Sequence, residues 1–185
     1  EIVFNGKNLV KLSREEMRRI RGKDIGMVFQ DPMTSLDPLR RVGDQVAEVF
    51  IEHGVLSNWR DARDKARELL KKVGLPEDRA SYYPHQLSGG QRQRIAIAIA
   101  MALQPKLLIA DEPTTALDVI VQDTIMDLME GFKKQGTSIL FITHDLALAA
   151  ERSDRIAVMY AGKLVELGSV DQVIDNPTHP YTAAL

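Results

Sequence analysis

Two stretches of this chain carry residues whose types and spacing could act on a phosphate. Ser88-Gly89-Gly90 is a loop whose backbone N–H groups can be brought against an anion, because glycine has no Cβ to hold the backbone away. The residues after it begin a helix, and a helix N-terminus adds about half a positive charge. Leu107 to Ala110 is a short apolar run that ends in two consecutive carboxylates, Asp111 and Glu112. Neighbouring residues on a strand point to opposite sides, but a turn at the strand's end lets both acids face one cleft. A buried strand that finishes in acids is where open α/β sheets place ligand and metal chemistry. A phosphate-facing helix start, a buried strand and an acid pair together imply nucleotide hydrolysis.

The elements that must position these residues follow from the pattern of the chain. Glu1–Phe4 reads as a strand closed by the tight-turn dipeptide Asn5-Gly6. Ser13 and Glu16 have capping-box spacing and open a short helix to about Ile20. Ile25–Phe29 reads as a buried strand ending in Gln30, and Pro32 and Pro38 then stop regular structure. Val42, Val46, Val49 and Phe50 share a helical face that His53-Gly54 breaks. A second helix, from about Asn58 to Val73, buries Ala62, Ala66, Leu69, Leu70 and Val73. Its outer face offers the i,i+4 pairs Arg60/Asp64 and Asp61/Lys65, and Gly74 with Pro76 ends it. Trp59, near its start, is either packing or a contact for a membrane partner.

Residues 95–103 (I-A-I-A-I-A-M-A-L) alternate with period 2, as a strand would, yet alanine is the best helix former. The run is apolar on every side, and Pro105 stops it, so the expectation is a buried helix. Helix is expected again over Asp123–Phe132, with Ile125, Leu128, Met129 and Phe132 inward. Ser138–Thr143 reads as a buried strand that delivers His144, and Leu146–Glu151 as a short helix. Ile156–Tyr160 and Lys163–Leu167 form a hairpin about Ala161-Gly162. Alternating strands and helices of this kind give a mostly parallel sheet.

Bulk properties narrow the class. The 185 residues suit one domain of ordinary size, and 44% hydrophobic with 27% charged residues is the balance of a soluble globular protein. The net charge of −2 and the lack of a Lys/Arg block speak against nucleic acid as the primary partner. With no cysteine, disulfides, thiolate zinc sites and cysteine nucleophiles are excluded. Ile95–Leu103 is the longest apolar run, far short of the roughly 20 residues that span a bilayer. No signal peptide is visible, and the expectation is a cytoplasmic protein.

Taken together, L-S-G-G-Q at 87–91, L-L-I-A-D-E at 107–112, T-A-L-D at 115–118 and His144 resemble a family. In order and spacing they are similar to the signature loop, Walker B strand, D-loop and switch histidine of the ATP-binding cassette (ABC) ATPases. F-Q-D-P-M-T-S-L-D-P at 29–38 resembles the Q-loop of the branch that imports oligopeptides, dipeptides and nickel. Y-P-H-Q-L-S-G-G at 83–90 and the tail N-P-T-H-P-Y-T-A-A-L resemble the same branch, the tail being similar to the start of its C-terminal extension.

The resemblance implies ATP and Mg²⁺ as ligands, with Asp111 holding the cation through water and Gln30 reaching the cation and the attacking water. It makes Glu112 the general base or water-orienting carboxylate, and has His144 touch the γ-phosphate and orient that water. Ser88, Gly89, Gly90 and Gln91 would bind the γ-phosphate held by an opposite subunit, so each site needs two cassettes. Asp118 would lie across the dimer seam. Thr115 stands where serine is commoner, and keeps the hydroxyl. Implied partners are a second ABC ATPase subunit, membrane permease subunits and, indirectly, a substrate-binding protein, with no nucleic acid. The implied place is peripheral, on the inner face of the cell membrane.

One part of the pattern is not found. A cassette cradles the β- and γ-phosphates with G-x-x-x-x-G-K-[ST]. The pairs Gly6-Lys7, Gly22-Lys23 and Gly162-Lys163 are followed by Asn8, Asp24 and Leu164. The expected fold is therefore α/β: a P-loop NTPase-like, mostly parallel sheet, incomplete at its N-terminus, with an inserted helical subdomain. The expected division is an ATPase-core part with the Q-loop (1–41), the helical subdomain (42–86), the signature helix and core (87–170), and the start of a C-terminal extension (171–185). The expected function is an ATP-hydrolysing subunit, here a fragment, that powers import of peptides or nickel. The alternatives are a soluble ABC-type ATPase of DNA repair or translation, and a non-catalytic fragment.

Overall fold

In the computed structural model, which describes residues 1–31, 35–115 and 117–185, the chain opens on a small hairpin of β1 (Val3–Phe4) and β2 (Lys7–Asn8). Asn5 (φ 48°) and Gly6 (φ 76°) turn it, both in the left-handed region that this dipeptide tolerates. Helix α1 (Arg14–Ile20) starts on the expected capping box: Ser13 Oγ accepts from Glu16 N, and Glu16 Oε2 accepts from Ser13 N at 2.9 Å. Strand β3 (Ile25–Val28) then pairs in parallel with β4 (Leu107–Asp111), Ile25 opposite Leu107 and Val28 opposite Ala110. Helices α2 (Val42–Glu52) and α3 (Trp59–Lys72) lie between them in sequence.

The apolar stripes foreseen on α2 and α3 pack on each other and on α4 (Gly89–Met101). Val42, Val46, Ala47, Phe50, Ala62, Ala66, Leu69 and Leu70 are all buried. The ambiguous run 95–103 lies largely in α4, where Ile95, Ala96, Ile97, Ala98, Ala100 and Met101 are buried. Alanine propensity wins over period-2 alternation because a helix buried on several sides shows no apolar stripe. On the outer face of α3, the structure pairs Arg67 with Asp64 and Lys65 with Glu68 at i,i+3. The Asp61 carboxylate instead accepts from the N-cap Asn58, whose Nδ2 donates to Asp61 Oδ2 at 2.7 Å.

Two expectations need correction here. Helix α5 (Val119–Lys134) starts four residues before the expected Asp123, because Asp118 caps it by accepting from Val121 N. The strands expected to be buried are covered on one face only. Gly26, Val28, Leu108 and Ala110 are buried, while Met27 is 41% and Phe29 50% exposed. In β5 (Ser138–Ile142), Leu140 is 52% exposed. Strands of a parallel sheet are normally covered on both faces, so continuous apolar runs suggest full burial, whereas the lack of a P-loop motif implies exposed apolar sheet surface, as Met27, Phe29 and Leu140 show. Strand order is β3-β4-β5. The strand starts are tied by Lys106 N to Asp24 O (3.0 Å), Ser138 N to Lys106 O (2.9 Å) and the buried Thr137 hydroxyl to Pro105 O (3.0 Å).

The chain divides into two compact units, Glu1–Leu140 and Phe141–Leu185. The second unit contains α6 (Leu146–Arg152) and the antiparallel hairpin of β6 (Arg155–Tyr160) and β7 (Lys163–Ser169). Helices α7 (Val170–Asp175) and α8 (Pro180–Ala184) complete it. Its core is Ile156, Val158 and Val173, with Leu146, Val165 and Tyr181 packed against them. Glu166 on β7 clamps the tail: Oε1 accepts from Thr178 N (2.7 Å) and Thr178 Oγ1 (2.9 Å), and Oε2 from His179 N (3.2 Å). These neighbours, the Thr182 hydroxyl first and then Thr178 and His179, lower its carboxyl from 4.5 to about 2. The Thr182 hydroxyl lies outside hydrogen-bond geometry, so the clamp rests on the three bonds to 178 and 179.

A depressed carboxylate binds fewer protons folded than unfolded, so its stabilisation is present above about pH 4.5 and is lost as pH falls toward about 2. Glu166→Gln is therefore expected to melt below wild type at neutral pH, with the gap closing across that window. Thermal melts of both proteins at stepped pH test it; a gap that stays constant with pH refutes it.

Candidate functional site

Register explains the central contact of the first unit. Because Val28 stands opposite Ala110, the residues two further on, Gln30 and Glu112, leave adjoining strands at the same level. The Gln30 side chain uses this: its Nε2 donates to Glu112 Oε2 at 2.8 Å. Asp111, half-buried, is the last residue of β4 beside them. Glu112 turns the chain with φ at 42°, a left-handed conformation that costs a residue with a Cβ about 1–2 kcal/mol. Pro113 follows, and Thr115 N closes a turn on the Glu112 carbonyl at 3.2 Å. Thr115 Oγ1 then donates to Glu112 Oε2 at 2.9 Å.

Sequence patterning gave Thr115 and Gln45 no such part. The sequence signal for Thr115 is a hydroxyl three residues after an acid, across a proline turn. Gln45 lies on the apolar face of α2, 8% exposed. It accepts from Asp37 N (2.9 Å) and donates to Asp37 O (2.9 Å) and Arg40 O (3.0 Å). A buried amide with three backbone partners fixes the end of the 29–38 motif to the helical part. Pro32, Met33 and Thr34 of that motif, with the expected hinge at Pro32, lie outside the described residues, as does Ala116 of T-A-L-D.

A second cluster forms at two helix starts. Ser88 caps α4 in a reciprocal box with Gln91: Ser88 N donates to Gln91 Oε1 at 3.1 Å and Gln91 N to Ser88 Oγ at 3.3 Å. Arg92 Nε donates to Leu87 O at 2.9 Å and holds the loop from behind. Ser88 and Gly89 are exposed, whereas Gly90 is buried. A methyl at Gly90 would sit 2.5 Å from Val121 Cγ1, so its bareness serves packing against the start of α5. At Gly89 a methyl would meet only Leu117 Cδ2, at 3.7 Å. Asp118 is the α5 cap, with its Oδ1 2.9 Å from Val121 N. The signature loop and the T-A-L-D segment are thus neighbours within the chain.

His144 belongs to the second unit. It is exposed, follows β5, and precedes Asp145, the N-cap of α6, whose Oδ1 accepts from Leu148 N at 2.9 Å. Of the residues foreseen, then, the structure joins Gln30 to Glu112 beside Asp111, pairs Ser88 with Gln91 in one cap, and sets Gly90 against Val121 of the helix that Asp118 opens. Among the described residues no cluster of three or more His, Asp or Glu side chains forms a ready metal cage. Two acids and an amide oxygen suit a hard cation that takes one or two carboxylates and completes its shell with water and phosphate.

Parallel strands, one of them ending in the acid pair Asp111-Glu112, an intervening helical pair and a capped glycine loop define an α/β nucleotide cassette. The chain belongs to the ABC transporter family, whose model matches residues 1–115. It is 55% identical over its whole length to the oligopeptide transport ATP-binding protein OppD of Bacillus subtilis, covering 52% of that protein. It is 51% identical to the dipeptide transport ATP-binding protein DppD of Lactococcus lactis, again over its whole length and covering 54%. The chain spans about half the length of these curated relatives. Among solved structures, the dimeric ATP-binding cassette MJ0796 bound to ADP and Pi superposes with a TM-score of 0.80 at 34% identity, over 90% of this chain and 72% of that one. CbiO1 of Clostridium perfringens, part of an ABC transporter complex, gives 0.77 at 31% identity, over 94% and 67%.

Proposed function

We propose that this chain is part of an ATP-hydrolysing subunit that powers the import of peptides through a membrane permease. The observation that carries the reading is the Gln30 amide on the Glu112 carboxylate, at the level ends of two parallel strands. In it, Glu112 takes a proton from the water that attacks the terminal phosphorus, and the bond to the leaving ADP oxygen breaks with its electrons going to ADP. Bound Mg²⁺ would neutralise phosphate charge there, held by Asp111 with the Gln30 amide oxygen. His144 would orient the water. Ser88, Gly89, Gly90 and Gln91 would face the nucleotide of a second ATPase subunit, with Asp118 at the seam between the two.

Support for a transport role comes from the peptide-transport names of the relatives and from the helical part, 42–86, to which Gln45 ties the end of the 29–38 motif. No helix among the described residues is long and apolar enough to cross a membrane. A place at the inner face of the membrane, against permease subunits fed by a substrate-binding protein, suits such a subunit. In this reading 1–41 and 87–170 form the ATPase core, 42–86 the helical subdomain and 171–185 the start of a C-terminal extension. The bare sheet face at Met27, Phe29 and Leu140 suits cover by a P-loop-bearing segment.

The 185 residues alone are expected to release no phosphate from ATP with Mg²⁺. Joined to a segment carrying G-x-x-x-x-G-K-[ST], they are expected to turn over ATP and, with a permease in vesicles, to drive uptake of a labelled oligopeptide. Glu112-dependent turnover by the 185 residues alone would overturn the need for that segment. ATP turnover without any peptide uptake would overturn the import reading.

A further inference from the structure

We propose that Thr115 is a positioning residue for hydrolysis: its hydroxyl holds the Glu112 carboxylate in place when the Gln30 amide leaves it. This rests on the reading of Glu112 as the base. Two donors reach one carboxylate oxygen, Gln30 Nε2 at 2.8 Å and Thr115 Oγ1 at 2.9 Å. The two donors differ in what holds them. Gln30 sits on a different strand from Glu112, has three rotatable side-chain bonds, and is the residue whose amide the proposed mechanism turns toward cation and water. Thr115 sits on Glu112's own turn, closed by Thr115 N on Glu112 O at 3.2 Å. Its branched Cβ restricts χ1, so its hydroxyl keeps its aim at low entropic cost.

A fixed donor matters more at this acid than at most. Glu112 leaves the strand in the left-handed region, so no regular strand geometry sets the direction of its side chain. With Gln30 engaged elsewhere, the Thr115 hydroxyl still reaches that carboxylate oxygen at 2.9 Å from within the same turn. General-base catalysis depends on such placement, because the base must lie within hydrogen-bond reach of the water it deprotonates. The chemistry at position 115 is thus a hydroxyl requirement, one that serine would also meet.

The test is steady-state ATPase kinetics on the full-length protein assembled with its partner subunits, comparing Thr115→Val, Thr115→Ser and Glu112→Gln. Valine keeps the branched shape and removes the hydroxyl; serine does the reverse. A lost hydrogen bond to a charged group predicts that Thr115→Val lowers kcat about tenfold, with KM for ATP within about twofold of wild type. Thr115→Ser should stay within about threefold of wild-type kcat. A role in filling space would give the opposite order, valine tolerated and serine impaired, and would overturn the proposal. A contact made across a subunit seam would add to the Glu112→Gln loss, so Thr115→Val in that background is expected to change nothing further. If Glu112→Gln abolishes turnover while Thr115→Val matches wild type, the proposal fails and the base reading stands. If Glu112→Gln retains wild-type turnover, the base reading itself fails.

Discussion

Glu112→Gln is expected to lower kcat for ATP hydrolysis by about 10²–10⁴-fold in the full-length protein assembled with its partners, the range that a general base contributes. The substitution keeps the shape of the side chain and removes its negative charge. A carboxamide has the length of the carboxylate, and its carbonyl oxygen can accept from both Gln30 Nε2 and Thr115 Oγ1 in the arrangement seen here. What it loses is the capacity to take a proton from water. Nucleotide binding depends on other residues and should stay within about twofold, since an interaction made only in the transition state lowers kcat without raising KM. Phosphate-release kinetics alongside direct ATP titration measures both. Loss of binding together with turnover would show that Glu112 supports the fold or the nucleotide instead.

Gly26→Ala is expected to have the largest effect on stability, about 3 kcal/mol or more, at the upper end of the cost of overpacking. A methyl on Gly26 would be driven into the Ala100 carbonyl oxygen at the end of α4 and would stand 3.1 Å from Pro105 Cγ. Neither can yield cheaply: Ala100 belongs to a buried helix, and Pro105 leads directly into β4. The strand or the helix must move, and Gln30 and Ser88 ride on those two elements. A matched control is Gly131→Ala in α5, where a methyl meets nothing within 4 Å. There alanine should stabilise slightly, by about 0.5–1 kcal/mol, because glycine is the poorer helix former. Denaturant midpoints of the two variants provide the comparison. Equal midpoints would refute the close approach of α4 to β3.

The contrast between these glycines also shows what the chain discloses unaided. Local chemistry was readable: the Ser13/Glu16 box, the Asn5-Gly6 turn and the stripes of α2 and α3 each come from near neighbours in sequence and stand as expected. The site's strand-end acids were readable for the same reason, since an apolar run ending in Asp111-Glu112 is a local pattern. What could not be read were features set by distant partners. Met27 and Leu140 look like core residues in sequence, and their exposure depends on what lies against the sheet. The Gln30–Glu112 contact spans 82 positions and follows only from the β3/β4 register. Nothing near Gln45 in sequence points to its three backbone contacts with Asp37 and Arg40.

Gly90 and Val121 carry a consequence for how sequences of this kind can drift. The isopropyl group of Val121 occupies the space that a side chain at 90 would need. The dependence runs one way: alanine at 90 requires something slimmer than valine at 121, whereas position 121 can change while 90 stays glycine. A residue 31 positions along the chain thus sets what position 90 can accept.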